Sequence, residues 1–282
     1  MKIGMNMLLW TDHVTETHYP IIEKLKEIGY HGIEIPLGQG DLRHYHKLGN
    51  EIAQLDLEVT AVTSIHANTN IASPDKKIRQ AGLDQLRWAM DMGAALGVKT
   101  ICGPFHSAFA HFSQKPPAQA ERQWSAEYLH LAGGYASENG ITLAVEALNR
   151  FECYLYNTMG DLKMLLDQVA HPNVGAIYDS HHAHIEEKNH EGALNTIATH
   201  LKHVHISESD RGTPGNGQVH WHSVFNTLQD MGYDGWLTIE AFSRSAPEFA
   251  NAINVWRDFS PAEEIITQGF DFIKKNWINR KP

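Results

Sequence analysis

From one end to the other, the chain alternates short apolar runs rich in β-branched residues with longer amphipathic stretches. Eight such runs stand out, at approximately Ile3 to Leu9, Gly32 to Ile35, Glu58 to Thr63, Lys99 to Gly103, Thr142 to Glu146, Gly175 to Tyr178, Lys202 to Ile206 and Trp236 to Glu240. Helical periodicity fills the gaps, as in Thr17 to Ile28, Asp75 to Leu96, Ala118 to Asn139, Thr158 to Val169, His220 to Met231 and Pro261 to Asn276. Gly29 and Gly97 lie where helices should end, and Ser73-Pro74 where one should begin. A strand followed by a helical crossover is one βα unit, and eight in series predict an α/β fold, the closed (β/α)₈ TIM barrel. No linker or low-complexity tract divides residues 1–282, so one barrel domain is expected throughout. A doubly wound open sheet would carry a glycine-rich phosphate loop after its first strand, and Leu9-Trp10-Thr11-Asp12 is not one.

Charge and composition narrow the function. The net charge of -10 and the absence of a basic run argue against a nucleic-acid partner. No apolar stretch approaches membrane-spanning length, and Met1-Lys2-Ile3-Gly4 leads directly into a strand without a secretory pattern, so a cytoplasmic protein is expected. Cys102 and Cys153 are far apart and form neither a CxxC pair nor a disulfide framework. The 19 histidines are unusual, and many fall between His171 and His222. Those near helices, such as His190 and His200, are expected to be solvated, whereas His66 and His106 follow strands and could face the barrel mouth.

In a TIM barrel, functional side chains collect at the carboxyl ends of the strands. The fifth run ends in Glu146, the sixth leads into Asp179, the seventh reaches His205 and the eighth ends in Glu240. Successive members are roughly 30 residues apart, about one βα unit, so adjacent strands deliver them to one side of the mouth. Three carboxylates that close would repel one another unless a cation neutralised them. An oxygen-rich set with one imidazole favours Mn²⁺ or Mg²⁺, with Co²⁺ as a substitute, over a thiolate zinc site.

These residues lie within longer motifs. Glu146-Ala147-Leu148-Asn149-Arg150-Phe151-Glu152, Asp179-Ser180-His181-His182 with Ile185-Glu186-Glu187, and His205-Ile206-Ser207-Glu208-Ser209-Asp210-Arg211 resemble the D-tagatose 3-epimerase and D-psicose (D-allulose) 3-epimerase family, as do Pro214-Gly215-Asn216-Gly217, Ile239-Glu240 and Val255-Trp256-Arg257-Asp258. The resemblance implies a homodimeric or homotetrameric isomerase acting on a small ketose. In it Glu146, Asp179, His205 and Glu240 would bind Mn²⁺ or a similar ion, and Glu146 and Glu240 would exchange protons with C3. Glu152, His182 and Arg211 would hold the O1 to O3 end of the sugar. Trp256 matches a family marker for which packing is the expected use.

The chain departs from that family at Asn6, where a tyrosine is usual, and at Phe109, where a tryptophan is usual. Both positions are expected at the end of the pocket that receives the far carbons, so the preferred ketose stays open among D-psicose or D-fructose, D-tagatose, L-ribulose and modified keto-sugars. Three other readings share the barrel: a xylose-isomerase-like or hydroxypyruvate-isomerase-like enzyme, an endonuclease IV-like phosphodiesterase, and a non-catalytic sugar-binding barrel. The first would move hydrogen between C1 and C2, the second needs several zinc ions and a basic rim, and the third predicts a decayed metal site.

Overall fold

Each apolar run becomes a strand, and every strand divides its two faces between different neighbours. The computed structural model describes residues 1–278. Among them the strands are β1 (Lys2–Asn6), β2 (Gly32–Pro36), β3 (Glu58–Val62), β4 (Thr100–Gly103), β5 (Thr142–Val145), β6 (Val174–Asp179), β7 (Leu201–Ile206) and β8 (Trp236–Ile239). They pair in parallel in chain order, and β8 returns to β1 through the register Lys2–Trp236 to Met5–Ile239, which closes the barrel. The (β/α)₈ architecture expected from the alternation is the one observed.

The helices are α1 (Tyr19–Ile28), α2 (Leu42–Gln54), α3 (Lys76–Leu96), α4 (Gln119–Glu138), α5 (Met159–Val169), α6 (Ser180–Glu186), α7 (His190–Ile197), α8 (Trp221–Asp230), α9 (Pro247–Ala252) and α10 (Ala262–Ile278). Helix α2 has no strong apolar run; Asp41 caps it by accepting from the His44 amide, and only Tyr45, Leu48 and Ile52 bury, at helical spacing. No helix among the described residues is long and apolar enough to cross a membrane.

Outward strand residues such as Ile3, Met5, Ile33, Ile35, Ile101, Leu143, Val204 and Leu237 join Ile22, Leu25, Leu48, Leu83 and Leu162 of the helices in the main core. Alternate positions point inward. There Val62, Cys102, Ala144 and Ile177 form only a small apolar cluster. The same inward face carries the buried polar side chains Asn6, Glu34, Thr60, His203, His205 and Thr238. A barrel interior normally fills with branched apolar layers, so this one holds polar groups for a reason that the site must supply.

Gly103 ends β4 at φ +134°, and a Cβ there would lie 2.0 Å from the Thr63 carbonyl oxygen. Its own carbonyl accepts from the Glu146 amide at 3.0 Å, so this tight junction also places Glu146. Gly103→Ala should therefore cost about 3 kcal/mol or more, seen as a thermal midpoint several degrees lower. An unchanged midpoint would show that the β3–β4 junction relaxes freely.

Candidate active site

Strand closure brings Glu146, Asp179, His205 and Glu240 together, all at most 5% exposed. One ligand atom from each lies within 4.8 Å of the others. His205 Nδ1 is 3.9 Å from Glu146 Oε1, 3.6 Å from Asp179 Oδ2 and 3.4 Å from Glu240 Oε1. Asp179 has two jobs. Its Oδ1 accepts from the His181 and His182 amides at the start of α6, while Oδ2 faces the cluster and accepts from Ser207 Oγ and Arg211 Nη1. A helix cap and a site carboxylate are here one residue.

Burial, followed by the charge of Glu240, holds the Glu146 carboxyl well above its ordinary range. Burial works the same way on Asp179, but Arg211 and His182 outweigh it and keep that carboxyl well below its usual value. For His205 burial opposes the charge, and the surrounding Glu240 and Glu34 carboxylates override it and raise the imidazole. The donor set fits a hard divalent cation by two independent signs. Among the described residues, Glu146 Oε1 and His205 Nδ1 are both buried without a hydrogen-bond partner, which native interiors rarely tolerate. The remaining donors are oxygens, with no thiol in the group.

The other sequence-predicted residues surround this cluster. Arg211 Nη1 donates to Asp179 Oδ2 at 3.0 Å, Glu240 Oε2 at 2.7 Å and Ser207 Oγ at 2.9 Å. Its guanidinium stacks 4.8 Å from the Phe242 ring. His182 Nε2 lies 3.7 Å from Glu146 Oε1, and its Nδ1 accepts from the Asn149 amide. Burial, despite the pull of Asp179, leaves that imidazole well below its usual pKa and neutral. Glu152 accepts from Asn149 Nδ2 at 2.8 Å, and burial raises its carboxyl. Glu146, Glu152, His182, Arg211 and Glu240 all line one cavity of about 920 Å³ at the mouth, together with Leu8, His66, Phe109 and Phe242. Glu208 organises the loop that follows: it accepts from the amides of Ser209, Gly215 and Val219 and from Trp221 Nε1. A side chain at Gly217 would strike it at 2.4 Å.

Several positions differ from expectation. Asn6 does not reach the far end of the pocket: it is buried beneath the cluster, with Nδ2 donating to Glu34 and Glu240. Phe109 does line the cavity. His106 turns into the core beside Ser107 and Cys153, whereas His66 is exposed at the cavity edge. His190, expected in solvent, is buried against the Tyr178 hydroxyl because β6 and α7 pack their polar groups together. Trp256, for which packing was expected, is 68% exposed. Three residues at the site carry no role in the motifs: Glu34, Asn149 and His181. His181 lines the cavity, its Nδ1 donating to the Glu208 and Ser209 carbonyls. Asn149 and His181 lie beside motif residues with assigned roles, but Glu34 is a lone acid inside an apolar run and gives no such signal.

Comparison with known proteins agrees with this geometry. Residues 22–276 match the xylose isomerase-like TIM barrel family. A ketose 3-epimerase of Arthrobacter globiformis is 31% identical over 97% of this chain and 96% of its own length. An L-ribulose 3-epimerase of Methylomonas sp. is 30% identical over 98% of both chains. The crystal structure of a D-allulose 3-epimerase from Methylomonas sp. in complex with D-allulose superposes with a TM-score of 0.91, at 28% identity and over 98% of this chain and 97% of that one. The chain therefore belongs to the xylose isomerase-like TIM barrel family and, within it, to the ketose 3-epimerases.

Proposed function

We propose that the chain inverts C3 of a free keto-sugar, with Glu146 and Glu240 as the two proton-transfer groups. The observation that carries this is the pair itself: two buried carboxylates, from β5 and β8, open into one cavity on either side of the His205–Asp179 group. Inverting a carbon next to a ketone requires a base on one face and an acid on the other. One glutamate accepts the C3 proton, and the C–H electron pair becomes the C2–C3 double bond of a planar enediolate. The other returns a proton to the opposite face, so atoms and charge balance, and the roles exchange in reverse. The raised carboxyl of Glu146 suits the acid of such a pair.

Negative charge develops on the ketose oxygen as the proton leaves. Arg211 and His182 face that end of the cavity, where the guanidinium and the Nε2–H that His182 carries when its Nδ1 accepts from Asn149 can donate to it. Glu146, Asp179, His205 and Glu240 would hold a divalent cation, Mn²⁺ by preference with Mg²⁺ or Co²⁺ able to replace it, which when bound supplies Lewis-acid stabilisation of the same charge. Glu152, oriented by its bond from Asn149, holds the O1 to O3 end of the sugar together with His182 and Arg211. The substrate is a ketose of the D-psicose or D-fructose, D-tagatose or L-ribulose kind, since the related enzymes named above act on L-ribulose and bind D-allulose. A homodimer or homotetramer completes the proposal, with exposed Phe151 and Trp256 available for a partner copy to cover; sedimentation velocity tests it.

The decisive experiment is a ketose panel in heavy water with added Mn²⁺. Deuterium at C3 of both epimers is expected. Label confined to C1 would replace the epimerase with an aldose–ketose isomerase. Arg211→Ala should lower kcat/KM by about 10²- to 10³-fold, the usual effect of losing a donor to developing charge. Metal binding should survive, because the substitution removes a cation from Asp179 and Glu240. Loss of the metal in that variant would contradict the role given to Arg211.

A further inference from the structure

Glu34 is wholly buried in the middle of an apolar strand, Gly32–Pro36, and takes no part in the proton transfers proposed for Glu146 and Glu240. An ionised carboxylate there costs several kcal/mol unless it is fully compensated. Four other strands supply the compensation. Asn6 Nδ2 donates to Oε1 at 3.0 Å and His205 Nε2 to the same oxygen at 2.7 Å. Thr60 Oγ1 donates to Oε2 at 2.9 Å and Cys102 Sγ at 3.3 Å, while His203 Nε2 lies 2.9 Å away. Most of these only satisfy the carboxylate. The bond from His205 also acts on the site above.

A cation taking the place of its second proton would leave the His205 imidazole neutral, with one N–H and one lone pair, and the partner of one nitrogen then decides what the other offers. In His205 the Nε2 side is taken by Glu34, and Nδ1 is left buried, unpartnered and 3.4 to 3.9 Å from three carboxylates. The reverse tautomer would set an N–H where a ligand lone pair is needed. We propose that Glu34 is a positioning residue for the cation site: it fixes the ring orientation and tautomer of His205 so that the Nδ1 lone pair is delivered among Glu146, Asp179 and Glu240. This rests on the cation reading of those four residues. Asn6 extends the same control to a second member of the site, since its amide bridges Glu34 Oε1 and Glu240 Oε1 at 3.0 and 3.1 Å. Asn6, a departure from the family pattern, thus belongs to the floor of the site and not to the sugar's far end.

The test compares the full chain with Glu34→Gln and Thr60→Val, each stripped of metal and titrated with Co²⁺ by calorimetry and visible absorption. Thr60→Val removes a different donor from the same carboxylate and reports general damage to the network. Wild type should bind one Co²⁺ per chain. Glu34→Gln should bind it roughly 10- to 100-fold more weakly, the usual effect of losing the partner of a ligating histidine, with an altered ligand-field spectrum. Thr60→Val should lower the metal-free thermal midpoint at least as much while leaving affinity within about threefold of wild type. Unchanged Co²⁺ binding in Glu34→Gln would overturn the proposal, as would equal weakening in Thr60→Val, which would reduce Glu34 to a core residue. A second Co²⁺ per chain that disappears in Glu34→Gln would overturn it differently, making Glu34, Cys102, His203 and His205 a metal site of their own. Wild type that binds no Co²⁺ would instead overturn the cation reading beneath it. If Glu34→Gln does not fold, ¹⁵N-histidine spectra of the Mg²⁺-loaded wild type decide: the proton of His205, assigned by its loss in His205→Asn, should sit on Nε2, and a proton on Nδ1 refutes the inference.

Discussion

Glu146→Gln and Glu240→Gln should each reduce epimerisation at least about 10³-fold while the protein still folds, because each removes one of two obligatory proton transfers worth about 10²- to 10⁴-fold. An amide keeps nearly the shape of the carboxylate and can still accept from Arg211 at position 240, but it cannot take up and release a proton near neutrality. Isotope exchange gives this prediction a finer edge. With one base gone, the other can still remove and replace the C3 proton on its own face. Each variant should then incorporate deuterium into only one of the two epimers without inverting it, and the two variants should label opposite epimers. Loss of exchange into both epimers would point to a single base, and full activity in either variant would refute the two-glutamate scheme.

Chelation should remove turnover almost completely, and added Mn²⁺ should restore it. The chain should nevertheless stay folded, since His205 and Arg211 already place positive charge against the Asp179 and Glu240 carboxylates. Saturating cation should add about 4 kcal/mol of stability at a thousandfold excess over Kd. The dependence on pH has a definite sign. Burial and the charge of Glu240 raise the Glu146 carboxyl, so the metal-free folded chain holds a proton that the unfolded chain releases above its ordinary carboxylate range. That contribution is complete at acid pH and is lost as pH rises through the folded value of Glu146. The thermal midpoint of the chelated protein should therefore fall with rising pH over this window, and bound cation, taking the place of the proton, should flatten the curve. A chelated protein whose midpoint rises across that window would contradict the electrostatics assigned to Glu146.

Much of the candidate site is legible in the amino-acid sequence. Glu146, Asp179, His205 and Glu240 each stand at the end of an apolar run, and one βα unit between them is enough to predict a common mouth. Glu152, His182 and Arg211 follow from motifs beside them, and all three face the cavity. Glu34 is not legible in the same way. Gly32-Ile33-Glu34-Ile35-Pro36 looks like a strand with one solvated acid, and nothing local says that this acid faces the inside of a closed ring. Its partner His205 lies 171 residues away. His190 departs from expectation for a related reason: its polarity suggests solvent, and only the packing of α7 against β6 supplies the buried hydroxyl that receives it.

The order of residues alone therefore determined the eight-fold alternation, the closed barrel it builds and the side of the barrel on which the acids gather, because strand periodicity and unit length are local properties of the chain. Tertiary structure decided which polar side chains meet inside. Closure carries β1, β2, β3, β4 and β7 to a shared axis, and the cost of burying a charge then leaves only arrangements in which Glu34, Asn6 and His205 satisfy one another. The atom that His205 offers to its site is a consequence of that meeting and has no counterpart in the linear chain.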